Sequence, residues 1–283
     1  MSTPVTGGRS LSKSVAVGLL LGAAFLLSVL IYKELFMALA AAAAGAGAWE
    51  LSSALRLKGW YVPRVPAVVG SVLIMPATFY GGAQLQWLVS LAIVAALILW
   101  RTVHLLWEAR ETPRQRLAHT LRDFAASAFV VIYLPLMTSF TMLLLRRPDG
   151  ASWVITFVVT VAMIDTAGYL VGRKLGRHKL APGVSPKKTW EGLVASILAG
   201  TISAVALTWL FWGLYWWIGL VLAAVLLLAA VFGDLAESLI KRDLGVKDMS
   251  SVLPGHGGVM DRLDSILPSA LITYLFAQVF LPF

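Results

Sequence analysis

Long apolar runs alternate with short polar or basic stretches along the whole chain, and about nine such runs can be distinguished. Most are close to the roughly 20 residues that a helix needs to cross a hydrocarbon core about 30 Å thick. The pattern predicts an all-α polytopic integral membrane protein. The predicted spans are Ser14–Tyr32, Leu35–Leu55, Val65–Tyr80, Leu85–Trp100, Phe124–Leu145, Ser152–Gly172, Gly192–Trp212, Tyr215–Ile240 and Ile266–Leu281. The third and fourth runs are short, which also suits tilted, merged or re-entrant segments.

Basic residues are distributed unevenly between the two sides of this alternation. With a cytoplasmic N-terminus, all of the 23 Lys and Arg residues except Lys33, Arg146 and Arg147 fall in segments on the cytoplasmic side. Short cytoplasmic loops carry such an excess of positive charge. We therefore expect the N-terminus in the cytoplasm and the C-terminus outside, in a multi-pass protein of the cell membrane.

Composition supports this class. The chain is 59% apolar and 13% charged, whereas soluble domains carry roughly 25% charged residues. The net charge of +9 sits in loops that face anionic headgroups, so membrane lipids rather than nucleic acid are the expected partners. We predict one membrane domain, in which residues 1–123 hold the N-terminal spans and a basic cytoplasmic loop. Residues 124–283 would form the catalytic region.

Four carboxylates lie inside predicted spans, where an unpaired charge is costly, and two of them, Glu50 and Asp165, stand apart from the other two. Glu50 is near the end of the second span, and we expect an interfacial carboxylate paired with Arg56 or Lys58; a direct functional role is the alternative. Asp165 lies in the middle of the sixth span and must face a protein interior or a wet cavity. A functional role for Asp165 is favoured over a buried structural one.

The cytoplasmic entry to the seventh span, Ser185–Gly192, combines two lysines, a hydroxyl and a predicted helix N-terminus. Such groups can bind phosphate. A Lys-Lys pair before a membrane helix is also a common topology signal, so the stretch alone does not decide between the two.

The eighth span ends in an unusual cluster of charge. Asp234, Glu237 and Lys241 are spaced to share one helical face. Asp261 and Asp264 follow at helical spacing, and such hard oxygen ligands suit Mg²⁺ bound together with substrate phosphates. Gly257 and Gly258 would let backbone amides approach a phosphate. The sequence has no P-loop, His-Glu-x-x-His pair or zinc-type histidine spacing.

These residues resemble the phosphatidate cytidylyltransferase (CDP-diacylglycerol synthase) family. The family pattern is present as Ser238-Leu239-Ile240-Lys241-Arg242, Lys247-Asp248, His256-Gly257-Gly258 and Asp261-Arg262-Leu263-Asp264. The Ser185–Gly192 stretch and Gly233-Asp234 with Glu237-Ser238 also look like the family. One departure is Asp165-Thr166-Ala167-Gly168-Tyr169, where the family commonly has Asp-Thr-Gly-Ala-Tyr. The backbone approach at residue 167 is expected to differ.

The resemblance implies that a phosphatidate oxygen attacks the α-phosphorus of CTP and releases pyrophosphate. Asp248, Asp261 and Asp264, assisted by Asp234, would hold Mg²⁺, alone or with a second cation. The other catalytic residues would be Lys241 and Arg242. Substrate-binding residues would be Asp165, Arg173, Lys187, Lys188, Thr189, Glu191, Ser238, Lys247, His256, Gly257, Gly258 and Arg262. The resemblance also suggests a homodimer. In the predicted topology these residues approach the cytoplasmic face, so we expect the site to face the cytoplasm.

Two alternatives remain open at this point. A related synthase could use another lipid phosphate, such as an isoprenoid ether lipid, because the sequence does not reveal which lipid binds. An ion-coupled transporter could use Asp165 and Asp234 as coupling carboxylates. Transporters often contain repeated halves, whereas this chain gathers its charge at one end and on one face.

Overall fold

A computed structural model describes residues 11–107, 113–183, 185–250 and 257–281. Helices make up almost all of this part of the chain. They are α1 (Leu11–Ile31), α2 (Lys33–Leu57), α3 (Arg64–Trp107), α4 (Pro113–Val131), a π-helical turn (Ile132–Leu136), α5 (Met137–Leu145), α6 (Gly150–Leu175), α7 (Trp190–Trp212), α8 (Trp216–Leu244), α9 (Met260–Leu263) and α10 (Ile266–Phe280). The prediction of an all-α polytopic membrane protein is confirmed.

Seven helical segments within the described residues are long and apolar enough to cross a bilayer. One of them, α3, is folded back on itself. Gly82 has φ 69° and ψ −161°, which breaks the helix. A Cβ on Gly70 would lie only 2.7 Å from the Ile93 side chain, although these residues would be about 35 Å apart in a straight helix. The third and fourth predicted spans therefore form a helical hairpin, and the total of nine crossings stays a prediction.

The fifth predicted span lies within one continuous helix that is formed by α4, the π-helical turn and α5. The wider turn coincides with Pro135, which cannot donate the backbone hydrogen bond of a regular α-helix. Single π-turns of this kind are frequent at functional sites. The turn carries Tyr133 towards the acidic residues of α8 and towards Asp264, which lies just before α10.

Small residues allow α6 and α7 to approach closely. A Cβ on Gly168 would lie 2.4 Å from Ser196 Oγ, and a Cβ on Gly192 would lie 2.7 Å from the Gly168 carbonyl oxygen. Ser196 donates a hydrogen bond to the Ile164 carbonyl at 2.7 Å. Membrane helices often associate through such small residues. Gly168 lies one position later than the glycine of the common family pattern. It is placed where α6 packs closely against α7.

Hydrogen bonds between helix ends agree with the predicted alternation of spans between the two sides of the membrane. Lys33 donates to the Arg147 carbonyl at 2.5 Å, and Arg147 donates to the Leu281 carbonyl at 2.7 Å. Trp212 donates to Asp149 at 2.8 Å. These contacts bring together points that were all predicted to lie outside. Which end of the bundle faces the cytoplasm stays a prediction.

A short antiparallel hairpin, β1 (Lys179–Ala181) and β2 (Ser185–Thr189), precedes α7. The helical pattern did not predict it. Thr189 ends β2 and begins α7 as its N-cap, because its hydroxyl accepts a hydrogen bond from the Gly192 amide at 3.2 Å. The hairpin thus holds the Lys187–Lys188 pair in an extended conformation at the entry to α7.

Candidate functional site

One face of α8 carries the core of the site. Glu237 is fully buried, and one of its oxygens accepts a hydrogen bond from Lys241 at 2.8 Å. Asp234 lies one turn earlier on the same face, and Ser238 approaches it at 3.4 Å. The predicted sharing of a face by Asp234, Glu237 and Lys241 is therefore observed.

Gly233 brings this face against the segment that carries Asp264. A Cβ at position 233 would lie 2.3 Å from the Asp264 carbonyl oxygen and 2.8 Å from Pro268. A larger residue would push α8 away from the last span. The carboxylates of Asp234, Glu237 and Asp264 consequently lie within electrostatic range of one another.

Asp165 joins the cluster from α6. It accepts a hydrogen bond from the Ser265 side chain and lies within electrostatic range of Asp234 and Asp264. The Asp165 side chain retains exposed surface although it lies in the middle of a membrane span. A carboxylate in that position must border a wet cleft rather than lipid.

The two lysines of the hairpin have different environments. Lys188 forms an ion pair with Asp234 at 2.7 Å, whereas Lys187 is exposed. Successive side chains of a strand point to opposite faces, so only one of two neighbours can reach the cluster directly. Lys188 thereby links the predicted phosphate-binding stretch to the carboxylates of α8.

Asp261 organises the loop that precedes the last span. Its carboxylate accepts hydrogen bonds from Lys241 at 2.8 Å, from the Gly258 amide at 2.7 Å and from the Met249 amide at 3.1 Å. Three protein donors occupy oxygens that the sequence assigned to a metal ion. The geometry instead supports a role in holding Lys241 and closing the loop.

Gly257 and Gly258 leave room for neighbouring carboxylates. Gly257 has φ +85°, and a Cβ there would lie 2.8 Å from the Asp261 carboxylate and 3.6 Å from Asp248. A Cβ on Gly258 would lie 2.6 Å from the Glu50 carboxylate. The two glycines therefore admit carboxylates of this chain, and the Gly258 amide is already used by Asp261.

The remaining predicted residues are arranged around this centre. Glu191 pairs with His178 at 2.7 Å, and Arg173 donates to the Tyr169 hydroxyl at 3.0 Å. Exposed side chains near the loop belong to Arg242, Lys247, Asp248 and Arg262. His256 lies outside the described residues.

Two residues of the site were missed by sequence reasoning. Glu50 is only 3% exposed and accepts hydrogen bonds from Ser250, Val259 and Met260. The expected pairing with Arg56 or Lys58 was wrong, because Glu50 binds these three groups instead and Arg56 donates to the Val62 carbonyl. A lone carboxylate inside an apolar span was the available signal.

Tyr133 is the second missed residue. Its hydroxyl is buried without a hydrogen-bond partner among the described residues, and it lies within electrostatic range of Glu237, Asp264 and Asp234. The second oxygen of Glu237 is likewise buried without a donor in the described part of the chain. Unsatisfied buried polar atoms are costly, and these two lie beside the carboxylate cluster.

The cluster is rich in carboxylates. Asp165, Asp234, Glu237, Asp261 and Asp264 outnumber the two lysines, Lys188 and Lys241, that pair with this cluster. In the described ranges, no group of three or more His, Asp or Glu side chains is placed so that it could hold a metal ion by itself. Mg²⁺ usually takes one or two carboxylates and completes its shell with water and substrate phosphates, so two carboxylates of this cluster would be enough to hold it.

The chain matches the cytidylyltransferase family over residues 12–280. The chain belongs to this family. Phosphatidate cytidylyltransferase of Mycobacterium leprae is 35% identical over 272 residues, covering 94% of this chain and 87% of that protein. The Mycobacterium bovis protein of the same name is 33% identical and covers 95% and 88%. A Brucella suis phosphatidate cytidylyltransferase is 40% identical over 134 residues, about half of each chain.

Membership makes the protein a nucleotidyltransferase and sets aside the transporter alternative. The match extends through α1–α5 as well as through the stretch from Asp165 to Asp264. Both halves of the chain therefore share the family relationship, including the helices that supply Glu50 and Tyr133.

Proposed function

We propose that this protein is a CTP:phosphatidate cytidylyltransferase that forms CDP-diacylglycerol and pyrophosphate for phospholipid synthesis. One observation carries the proposal: a carboxylate-rich cluster with paired lysines lies where α6, β2, α8 and the start of the last span meet. The relatives bear the name of this activity, and two of them align over nearly the whole chain. The cluster provides the charges that two polyanionic substrates require.

The reaction exchanges one phosphoanhydride for another. A phosphate oxygen of phosphatidate forms a bond to the α-phosphorus of CTP, and the bond from that phosphorus to the bridging oxygen of the β-phosphate breaks. The electron pair leaves with pyrophosphate. The nucleophile is already anionic at neutral pH, so positioning and charge neutralisation, rather than a strong general base, supply most of the catalysis.

Basic side chains bind and orient the phosphates in this proposal. Lys188 and Lys241 lie in the cluster and would be shared between the carboxylates and the incoming phosphates. Exposed Lys187, Arg242 and Arg262 would bind the triphosphate or the lipid phosphate at the rim. Thr189 and Ser238 hold local structure at α7 and α8 and have hydroxyls that can donate to phosphate oxygens.

The cation would be held by Asp234 and Asp264, with Asp165 and Glu237 beside them. Asp248, on the exposed side of the loop, is the remaining proposed ligand from the family pattern. Mg²⁺ supplies charge neutralisation at the transferring phosphorus and the leaving group when bound. Asp261 keeps Lys241 in reach of the same position.

The proposal places the site at the cytoplasmic face of the cell membrane, where CTP is available and the phosphatidate headgroup lies. The location of nearly all basic residues at the predicted cytoplasmic ends supports this orientation. A homodimer stays a prediction from the family resemblance.

Purified protein in mixed micelles with phosphatidate, radiolabelled CTP and Mg²⁺ tests the proposal. We expect lipid-extractable label that depends on both phosphatidate and Mg²⁺, with stoichiometric pyrophosphate. Replacing phosphatidate by an isoprenoid ether lipid phosphate tests the alternative acceptor. Label with the ether lipid and none with phosphatidate would overturn the substrate assignment, and label that survives complete chelation would overturn the cation assignment.

A further inference from the structure

Glu50 joins the N-terminal helices to the loop of the site. It lies near the C-terminal end of α2, about 200 residues away from the groups that it binds. One oxygen accepts from Ser250 Oγ at 2.5 Å and from the Val259 amide at 3.0 Å, and the other accepts from the Met260 amide at 2.8 Å. Both oxygens of a buried carboxylate are thus engaged.

These contacts join two parts of the chain that both lie between α8 and the last span. Glu50 binds Ser250 in one part and the Val259 and Met260 amides in the other. Asp261 links the same two parts, because it accepts from the Met249 and Gly258 amides. Two carboxylates, Glu50 of α2 and Asp261, therefore hold residues 249–250 and 258–260 together.

These hydrogen bonds determine where the reactive groups lie. Met260 is directly followed by Asp261, which binds Lys241, and Lys241 binds Glu237. Asp264 lies one turn further on. A shift of the Val259–Met260 amides would move Asp261 and Asp264 together relative to α8. A misplacement of about 1 Å at a reacting centre can cost on the order of 100-fold in rate.

Gly258 lies directly against the Glu50 carboxylate. Its backbone is not in the left-handed region, so conformational freedom does not require glycine there. A side chain at 258 is excluded by the Glu50 carboxylate, whose atoms would lie 2.6 to 3.0 Å from the added Cβ. The second glycine of the family pattern is thus complementary to a residue outside that pattern.

We propose that Glu50 is a positioning residue of the transferase site: it accepts hydrogen bonds from Ser250, Val259 and Met260 and so aligns Asp261 and Asp264 with α8. The inference rests on the proposed function, since those aspartates are assigned to the site there. Glu50 itself touches no reacting atom.

Glu50→Gln tests this with minimal change of volume, because it places an amide NH₂ where a donor now meets a carboxylate oxygen. Its matched control is Glu34→Gln, an exposed glutamate on the same helix. We expect Glu50→Gln to lower kcat per folded molecule by about 10- to 100-fold. The KM for CTP should stay within about twofold, and Glu34→Gln should behave as wild type.

A double-mutant cycle separates positioning from general destabilisation. Gly258→Ala should impair activity strongly in the wild-type background but add little in a Glu50→Ala background, where the clashing carboxylate is absent. Additive effects would overturn the contact. If Glu50 variants do not fold, Ser250→Ala removes one of the three bonds and should lower kcat by about fivefold while amide exchange at Val259 and Met260 becomes faster.

Asp261→Asn distinguishes the two levels of the proposal. Loss of activity in Asp261→Asn together with wild-type kcat in Glu50→Gln overturns the role of Glu50 and leaves the site standing. Full activity in Asp261→Asn overturns the site assignment itself. Loss of kcat in both variants, with retained CTP binding measured by titration, is the expected result.

Discussion

Two clusters of charged side chains in this molecule have opposite ratios of acidic to basic groups. In the N-terminal region Asp123 is only 1% exposed. It forms ion pairs with Arg101 at 2.8 Å and with Arg122 at 3.6 Å, and it accepts a hydrogen bond from the Tyr61 amide at 2.9 Å. In the C-terminal region five carboxylates gather around two lysines. A carboxylate whose charge is matched by the fold is structural, whereas the excess of carboxylates in the C-terminal cluster suits the cation that we propose for it.

The largest effect is expected from Asp264→Asn. Loss of one carboxylate at the proposed cation position should reduce transfer of label into lipid on the order of 10³-fold. Stability should not fall, since one of several like charges is removed. Asp243→Asn, an exposed aspartate on α8, is the control and should retain activity. A well-folded Asp264→Asn enzyme with full activity would contradict the comparison.

Asp123→Asn should reduce stability and leave activity per folded molecule unchanged. Leaving Arg101 without its charged partner in a buried position costs about 3–5 kcal/mol in the free energy of unfolding. Thermal unfolding in detergent should therefore shift strongly, while kcat per folded molecule stays near the wild-type value. Catalytic loss without destabilisation would assign Asp123 to the site rather than to the fold.

The two neighbouring lysines of β2 should differ in how much each contributes to activity. Lys188→Ala removes the ion pair to Asp234 and should lower kcat/KM by about 100-fold. Lys187→Ala removes an exposed cation and should lower kcat/KM by less than about tenfold, mainly through KM. Equal losses would show that both side chains reach the phosphates. The pair is compared by steady-state kinetics at saturating Mg²⁺.

Tyr133→Phe tests the unsatisfied hydroxyl beside the carboxylates. If the O–H donates to water or to a group bound in the cluster, its removal should cost about tenfold in activity and raise the Mg²⁺ concentration needed for half-maximal rate. Tyr274→Phe is a matched control, because this tyrosine packs against Phe140 and lies with Arg146 beside a pocket away from the site. An unchanged Mg²⁺ response in Tyr133→Phe would separate the hydroxyl from the cation.

The smallest effect concerns Asp149, which lies between α5 and α6. Burial on its own raises the pKa of Asp149, but the hydrogen bonds from Trp212 and Arg147 outweigh it and hold the pKa below its ordinary value. Its stabilisation is therefore complete above the ordinary aspartate pKa of about 3.9 and is lost as the pH falls through the lowered value. Asp149→Asn should cost about 1 kcal/mol at neutral pH and reduce the acid sensitivity of the unfolding temperature.

Much of the site could be predicted because its residues lie close together in sequence. Asp234, Glu237 and Lys241 share a helical face by spacing alone, and Asp261 and Asp264 follow the same rule. The spacing could not show that protein donors occupy Asp261, since the Met249 and Gly258 amides approach it only in the folded loop. Nor could it distinguish Lys188 from Lys187, because that difference depends on the strand direction of β2.

The sequence by itself determined the membrane class, the apolar spans, the sorting of loops by charge and the family pattern, because these depend on local composition and short periodicities. Only the tertiary structure decided that α3 folds back at Gly82, that Tyr133 faces the acidic cluster and that Glu50 binds the loop before the last span. Those features arise from contacts between segments far apart in the chain. No periodicity records such contacts, since they depend on how the helices pack once each has formed.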